Sequence, residues 1–201
     1  MKVRRVGAAA LLIECSDPER VEAWRAELWR RRESGELRAA EIVPGARTVL
    51  IDGVAQQTAT LLAGWEPAPG EARAEGELVE IPTEFDGADL AAVADLWQVS
   101  RDEAVRRLVD TPLTVAFCGF APGFAYLRGL PEAWAVPRLA APRPRVPAGA
   151  VALAGSYAGI YPTASPGGWQ LVGRTDKNLF DVRRKQPALL SPGTRVHLVA
   201  S

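Results

Sequence analysis

Residues Phe117–Phe180 read FCGFAPGFAYLRGLPEAWAVPRLAAPRPRVPAGAVALAGSYAGIYPTASPGGWQLVGRTDKNLF. Glycine and proline recur every few residues in this segment, and short β-branched or aromatic runs lie between them. Proline removes a backbone donor and glycine weakens a helix, so the segment is not expected to be helical. The pattern predicts many short strands joined by tight turns. We expect the binding site of the protein in this segment.

The segment lies inside a larger region that is predicted to be all-β from Leu113 to the last residues. Its clearest strands are expected at 113–118, 151–154, 170–173 and 196–199, and Pro192-Gly193 marks the last turn. Two short helices precede this region. One covers Asp89–Trp97, and the other opens with the capping box Ser100–Glu103 and runs through Val109.

The first part of the chain alternates strands and helices. A helix capped by Ser16 or Asp17, with Pro18 in its first turn, ends at Gly35. A second helix is expected at 56–62, and strands are expected at 8–14, 41–43, 48–51 and 78–81. The order strand, helix, strand, strand, helix, strand is that of the ferredoxin-like split βαβ fold. A segment rich in Pro, Ala, Gly and Glu, residues 66–76, reads as a flexible connection.

Charge is distributed unevenly along the 201 residues, although the net charge is zero. Residues 1–110 contain 14 basic and 21 acidic side chains, whereas residues 111–201 contain 10 and 3. This asymmetry indicates either two parts with different partners or two complementary halves that face each other. A nucleic-acid partner is not expected, because the arginines are dispersed among prolines and no binding motif is present.

Compartment is predicted from the cysteines and the apolar runs. Cys15 and Cys118 suggest no disulfide framework, which favours a cytoplasmic protein. No apolar run approaches the roughly 20 residues of a membrane helix, so no membrane partner is expected. The first residues imitate a short signal peptide, but Asp17-Pro18 resembles a helix start, and we interpret this stretch as a first strand.

Common catalytic devices are absent from the sequence. It contains neither a GxxxxGK[ST] phosphate loop nor a GxSxG elbow, so no recognisable motif binds ATP. The single histidine, His197, lies in an apolar strand and is interpreted as structural, and Cys118 is interpreted as a buried thiol. With one histidine and two distant cysteines, no metal site is expected. Catalytic residues therefore stay unassigned.

Candidate binding residues are concentrated in the Gly/Pro-rich segment. Aromatic rings suit ligand pockets, guanidinium groups match carboxylate or phosphate, and the Gly-Gly turn offers converging backbone N–H groups. For each group a structural alternative stays open: core packing for the aromatics, solvated surface for the arginines and an ordinary turn for the glycines. The candidates are Pro122, Gly123, Phe124, Tyr126, Arg143, Arg145, Tyr161, Ser165, Gly167, Gly168, Trp169 and Arg174.

Few proton-transfer groups accompany these candidates. Glu132, Asp176 and Asp181 are the only acidic residues after Asp110. A segment with many glycines, aromatics and arginines but so few acids and bases indicates a binding surface, or one half of an active site that another chain completes.

Four motifs resemble one known family in their order and spacing: GFAPGFAYLRGLPE, VPRLAAPRPRVPAGAVALAG, GIYPTASPGGWQLVGRT and LFD. The chain is similar over nearly its whole length to the allophanate hydrolase subunit 1 family, also called the KipI family or the family of the 5-oxoprolinase B subunit. The resemblance implies a ferredoxin-like domain, which we place at 1–83, and a cyclophilin-like β-barrel domain at 84–201 that includes the two leading helices at about 87–110.

The resemblance also implies a function. Family members pair with a subunit 2 homologue (KipA-like, the C subunit of 5-oxoprolinase) and, with a third subunit, open 5-oxoproline to glutamate at the expense of ATP. We therefore expect a B subunit that is not active alone, with ATP used at the level of the complex. The alternatives are a non-catalytic, KipI-like inhibitor that binds a sensor histidine kinase, and an allophanate hydrolase-related subunit.

This chain departs from the family pattern at three positions. Leu108 falls near a position where relatives usually carry a histidine before the FxGFxPGF strand. Tyr157 and Ala158 stand where relatives often carry a glutamine and a threonine. We expect this protein to differ from its relatives at these positions.

Overall fold

The computed structural model describes residues 2–67 and 76–201. The chain divides into two compact units, Met1–Ala74 and Glu75–Ser201. Most of the connection expected at 66–76 lies outside the described residues. Among the described residues, no helix is long and apolar enough to cross a membrane.

The first unit is a four-stranded antiparallel sheet with two helices. Its elements are β1 Lys2–Val6, β2 Ala10–Glu14, α1 Pro18–Glu33, β3 Glu41–Pro44, β4 Thr48–Asp52 and α2 Thr58–Ala63. Helix α1 begins where the sequence predicted, because the Asp17 carboxylate accepts the Arg20 backbone N–H at 2.7 Å. Its Trp24 and Leu28 are at most 1% exposed in the core of this unit.

The order of strands in this sheet differs from the expectation. The sheet runs β1-β2-β4-β3, and each neighbouring pair is antiparallel. The predicted first strand is in fact a hairpin whose turn contains Gly7, and β1 occupies the edge beside β2. The strand at 78–81, expected to complete this sheet, pairs elsewhere. That prediction was wrong because strand pairing is not encoded in the local pattern that identifies a strand.

The second unit contains a seven-stranded sheet. Its elements are β5 Leu78–Thr83, α3 Leu90–Leu96, α4 Arg101–Asp110, β6 Leu113–Cys118, β7 Ala125–Arg128, a 3-10 turn Glu132–Trp134, β8 Arg143–Val146, β9 Ala150–Ala154, β10 Tyr157–Ile160, β11 Ser165–Gly167, β12 Gln170–Arg174 and β13 Arg195–Ala200. The two leading helices and the four clearest strands agree with the prediction. Helix α4 begins at the expected cap, because Ser100 accepts the Glu103 N–H at 3.1 Å.

The seven strands form a nearly closed barrel. Their order is β12-β9-β10-β7-β6-β13-β5, and β5 pairs with β13 in parallel. Just beyond β5, Glu84 and the last residue of β12, Arg174, exchange two backbone hydrogen bonds of 2.8 and 2.9 Å. These bonds join the two ends of the sheet. The strand assigned to the first domain, with its boundary at residue 83, is therefore an integral part of the barrel.

The interior of the barrel is the main core of the second unit. Every strand contributes to it, for example Ile81 from β5, Leu127 from β7 and Leu198 from β13, all of which are fully buried. Residues from α3 and α4 belong to the same core, including Leu90 and Leu108. Because side chains alternate along a strand, the residues between these positions face the outer side of the sheet.

Candidate functional site

Small residues open space on the outer side of β9 and β10. The residues of β9 that alternate with its interior positions are all alanines: Ala150, Ala152 and Ala154. Gly159 of β10 pairs with the middle one. A Cβ at Gly159 would lie 3.0 Å from both Phe124 Cζ and Trp169 Cζ3. The absence of side chains at these positions therefore allows large rings to pack directly on the sheet.

Four aromatic rings occupy this space: Phe124, Tyr126, Tyr161 and Trp169. The Phe124 ring packs edge-to-face against Tyr161 with centroids 5.2 Å apart and against Trp169 at 5.6 Å. Tyr126 meets Trp169 at 5.5 Å. Such pairs contribute about 0.5–1.5 kcal/mol each beyond the area that they bury. The rings come from separate turns and strands and pack against one another.

A cavity of about 250 Å³ opens beside these rings. Aromatic and small residues dominate its lining, which contains one charged side chain and no carboxylate. The lining residues are Phe120, Phe124, Tyr126, Arg138, Ala154, Gly155, Tyr161, Pro166, Gly167 and Trp169. An apolar concave surface with a few polar groups is the usual form of a small-molecule site.

The Tyr161 hydroxyl is held against the β11 backbone. A Cβ at Gly167 would lie 2.9 Å from Tyr161 Cζ and nearer still to the hydroxyl oxygen, so only glycine fits there. Burial raises the pKa of Tyr161, and the positive charge of Arg138 and a hydrogen bond with the Trp169 backbone oppose this rise only in part. The phenol therefore stays protonated at neutral pH and can donate a hydrogen bond.

Phe120 forms one wall of the cavity in an uncommon conformation. Its φ is +70°, in the left-handed region that costs non-glycine residues about 1 kcal/mol or more. Its side chain is 61% exposed, although the ring meets Phe124 and Tyr161 edge-to-face at 5.3 and 6.2 Å. The chain thus holds a large apolar ring at the surface in a strained backbone position, which suits a binding wall better than a core residue.

Arg143 takes part in a structural network. Its guanidinium donates to Asp89 Oδ1 at 2.7 Å and to the Trp169 carbonyl at 3.4 Å. The other Asp89 oxygen accepts the Leu171 N–H at 2.6 Å. Both charged side chains are less than one-third exposed. This network ties β8 to the start of α3 and to the backbone that carries Trp169, so the charge of Arg143 is already neutralised.

The other two predicted arginines lie outside the cavity lining. Arg174 forms ion pairs with Glu84 and Asp86 beside the bridge that joins the ends of the barrel. These carboxylates raise the pKa of Arg174, the hydrogen bond with Glu84 being the main cause. Arg145 is an exposed residue of β8. A second cavity of about 440 Å³ adjoins Arg174, but six of its seven lining residues are charged or polar.

The structure brings together five of the predicted residues. Phe124, Tyr126, Tyr161, Gly167 and Trp169 line one cavity.

The remaining predicted residues support the cavity or lie apart from it. Pro122 and Gly123 belong to the turn between β6 and β7, in which Phe124 N–H donates to Ala121 O. The Gly168 carbonyl accepts the Leu139 N–H at 2.7 Å. Ser165 donates to the Thr163 carbonyl at 3.2 Å.

The candidates from the sequence lacked five lining residues: Phe120, Arg138, Ala154, Gly155 and Pro166. Phe120 lies within the GFAPGF motif, and its closeness to Phe124 in the sequence could have marked it as a candidate. Arg138 lies within the motif VPRLAAPRPRVPAGAVALAG, but it precedes Tyr161 by 23 residues, and only the folded chain places both at one cavity.

The three departures from the family pattern are accommodated as packing groups. Leu108 and Ala158 are fully buried in the barrel interior. Tyr157 is half-buried and packs edge-to-face against Phe117 at 5.8 Å and Tyr126 at 6.2 Å. Leu108 and Ala158 thus fill apolar volume in the core. Tyr157 adds its ring to the neighbouring aromatic side chains.

His197 and Cys118 make contacts that fit structural roles. His197 Nε2 lies 3.0 Å from the Val109 carbonyl. The Cys118 thiol donates to the Leu190 carbonyl at 3.5 Å, and burial raises its pKa. A raised pKa keeps the sulfur protonated and weakly nucleophilic.

Residues 1–190 match the family described as carboxyltransferase domain, subdomain C and D. The chain belongs to this carboxyltransferase-domain family. It is 36% identical to the B subunit of 5-oxoprolinase from Escherichia coli O157:H7, over 96% of this chain and 93% of that protein.

Two solved structures have a fold similar to that of this chain. A conserved uncharacterized protein from Pyrococcus horikoshii is 30% identical with a TM-score of 0.60, covering all of this chain and 97% of that one. Urea carboxylase from Kluyveromyces lactis is 19% identical with a TM-score of 0.72, covering 99% of this chain and 21% of that one, which shows the fold alone. The chain also spans 40% of the length of a longer solved protein that it matches at a TM-score of 0.78.

Proposed function

We propose that this protein is the B subunit of an ATP-dependent, 5-oxoprolinase-like amidohydrolase that converts 5-oxoproline to glutamate. The observation that carries the proposal is the 36% identity to the B subunit of a 5-oxoprolinase over nearly the full length of both chains. Two further proteins with that name are 43% identical over 128 and 126 residues.

The composition of the aromatic cavity supports a subunit that works with partners. Its lining supplies aromatic walls, one guanidinium and a neutral phenol, but no carboxylate, histidine or cysteine. Opening an amide ring with ATP requires phosphoryl transfer and general acid–base groups. In our proposal a subunit 2 homologue, the C subunit of the complex, and a third subunit supply those groups and bind ATP, and this chain holds the substrate. All three act in the cytoplasm.

We also propose a specific fold for each of the two units. The first unit contains β2, α1, β3, β4 and α2 in the order of a ferredoxin-like fold, with β1 at the edge where the last strand would lie. The second unit is proposed to be a cyclophilin-like barrel, which its seven strands and two end helices support.

The test is reconstitution. The chain is purified with the subunit 2 homologue and the third subunit from the same genome, and ADP and glutamate are followed after addition of ATP and 5-oxoproline. We expect turnover that requires all three proteins. No turnover with all three folded and assembled would contradict the proposal.

A non-catalytic regulator of a histidine kinase is the second candidate. The replacement of three polar family positions by Leu108, Tyr157 and Ala158 favours it, because the two buried ones have lost their polar groups. Pull-down of the host's histidine kinases, followed by an autophosphorylation assay, distinguishes this candidate. A protein that binds no kinase and supports oxoprolinase turnover excludes it.

A further inference from the structure

The charge of the aromatic cavity is unbalanced. Arg138 is the one charged residue of its lining. Within residues 2–67 and 76–201, the Arg138 side chain makes no hydrogen bond or ion pair, whereas Arg143 and Arg174 are both paired with carboxylates. A guanidinium beside aromatic walls, with no acid in the lining, is suited to an anion from outside the chain.

We propose that this cavity binds a small monocarboxylate, with the carboxylate on Arg138 and the apolar body against Phe120 and Trp169. This proposal deepens the proposed function. It rests on that function only in taking the bound monocarboxylate to be the substrate of the complex. Arg138 is then the anchoring residue, and Phe120 is the wall.

The single positive charge selects among anions. A monocarboxylate carries one negative charge, which Arg138 neutralises through two parallel hydrogen bonds. A phosphate carries nearly two, and a second cation or a helix N-terminus would be needed beside it. The lining offers neither, so phosphate would remain partly unneutralised next to apolar rings.

The size of the cavity limits the ligand. A volume of about 250 Å³ equals about eight water molecules at ~30 Å³ each. This open space fits a compact molecule such as a five-membered ring with one carboxyl group. A nucleotide or a peptide of several residues would extend beyond this lining.

Phe120 supports the same assignment through its exposure and backbone conformation. Its ring is 61% exposed, so removing it would cost the core little, and its φ of +70° adds strain that the fold has to sustain. A ligand lying between Phe120 and Trp169 would bury the exposed ring and recover apolar area that the free protein leaves in water. The Tyr161 phenol, protonated at neutral pH, provides a hydrogen-bond donor in the same lining.

The experiment is a chemical-shift titration of the full chain with three probes: cyclopentanecarboxylate, its neutral isostere cyclopentanecarboxamide, and 5-oxoproline. For the wild type we expect the carboxylate to bind about two- to fivefold more tightly than the carboxamide, because the Arg138 side chain is exposed and water screens its attraction for the carboxylate. Arg138→Gln is expected to remove this preference. Arg145→Gln, the matched exposed control on β8, is expected to leave it unchanged.

Phe120→Asn tests the wall separately from folding. Asparagine tolerates the left-handed region, so the variant is expected to melt at or above the wild-type temperature while it binds both cyclopentane probes more weakly. Three results would overturn the proposal: neither cyclopentane probe binds, the carboxylate and carboxamide bind equally, or Arg138→Gln behaves like Arg145→Gln.

The binding experiment and the reconstitution fail in different ways. A complex that turns over 5-oxoproline while the chain shows no carboxylate preference overturns the cavity assignment alone. A chain that binds cyclopentanecarboxylate through Arg138, in a complex without turnover, supports the cavity assignment and contradicts the proposed function.

Discussion

Replacing Gly167 by alanine tests whether the Tyr161 ring is locked against the β11 backbone. The new Cβ would lie 2.9 Å from Tyr161 Cζ and 3.0 Å from Cε1, and closer to the hydroxyl. The Tyr161 ring is 1% exposed and packs against Phe124, so it has no free direction in which to move. Overpacking of this kind costs about 1–3 kcal/mol.

Gly168→Ala is the matched control one residue away. Its Cβ would meet no atom closer than 3.6 Å, and its φ lies outside the left-handed region. Removing glycine from the unfolded chain should then stabilise the protein by about 0.4–1 kcal/mol. Because both variants remove a glycine from the unfolded chain, that gain cancels between them, and they should differ by the overpacking cost of about 1–3 kcal/mol.

Thermal unfolding followed by near-ultraviolet circular dichroism measures this difference. At about 4 °C per kcal/mol for a unit of this size, Gly167→Ala should melt roughly 4–12 °C below Gly168→Ala. Adding Tyr161→Phe to Gly167→Ala removes the nearest clashing atom and should recover part of the loss, as a double-mutant cycle would show. Equal melting temperatures for the two alanine variants would refute the reasoning.

Three further predictions address packing, the Arg143 network and pH. Leu108→Ala should lower the free energy of unfolding by about 2–5 kcal/mol in urea titrations, because Leu108 is fully buried in the core of the second unit. A loss below about 1 kcal/mol would contradict this prediction, because it would mean that the surrounding side chains fill the space left by Leu108. Asp89→Ala leaves Arg143 and the Leu171 N–H without their acceptor and should cost about 2 kcal/mol by the same measurement, whereas Arg145→Ala should cost under about 0.5 kcal/mol. Because the folded pKa of Tyr161 is raised above its unfolded value, its contribution is complete below about pH 10 and is lost as pH rises through the folded pKa. The urea midpoint of Tyr161→Phe should therefore fall less between neutral and strongly alkaline pH than that of the wild type, and parallel decreases would contradict this assignment.

Elements whose boundaries depend on neighbouring residues were predictable. The Asp17 cap, the Ser100 cap and the turn at Gly193 act within a few residues, and the structure has each of them in place. The aromatic and glycine content of Phe117–Phe180 likewise indicated where the cavity lies, and five predicted residues line it.

Long-range pairing was decided only by the tertiary structure. The sequence identified a strand near 78–81 but could not show that it pairs with β13, more than 110 residues later. Nor could it show that Arg143 is held by Asp89, 54 residues earlier, while Arg138 stays available at the cavity. An isolated arginine in a sequence has the same chemistry in both cases. Its role depends on which carboxylates the fold brings within hydrogen-bond distance, because charge neutralisation acts through space and not along the chain.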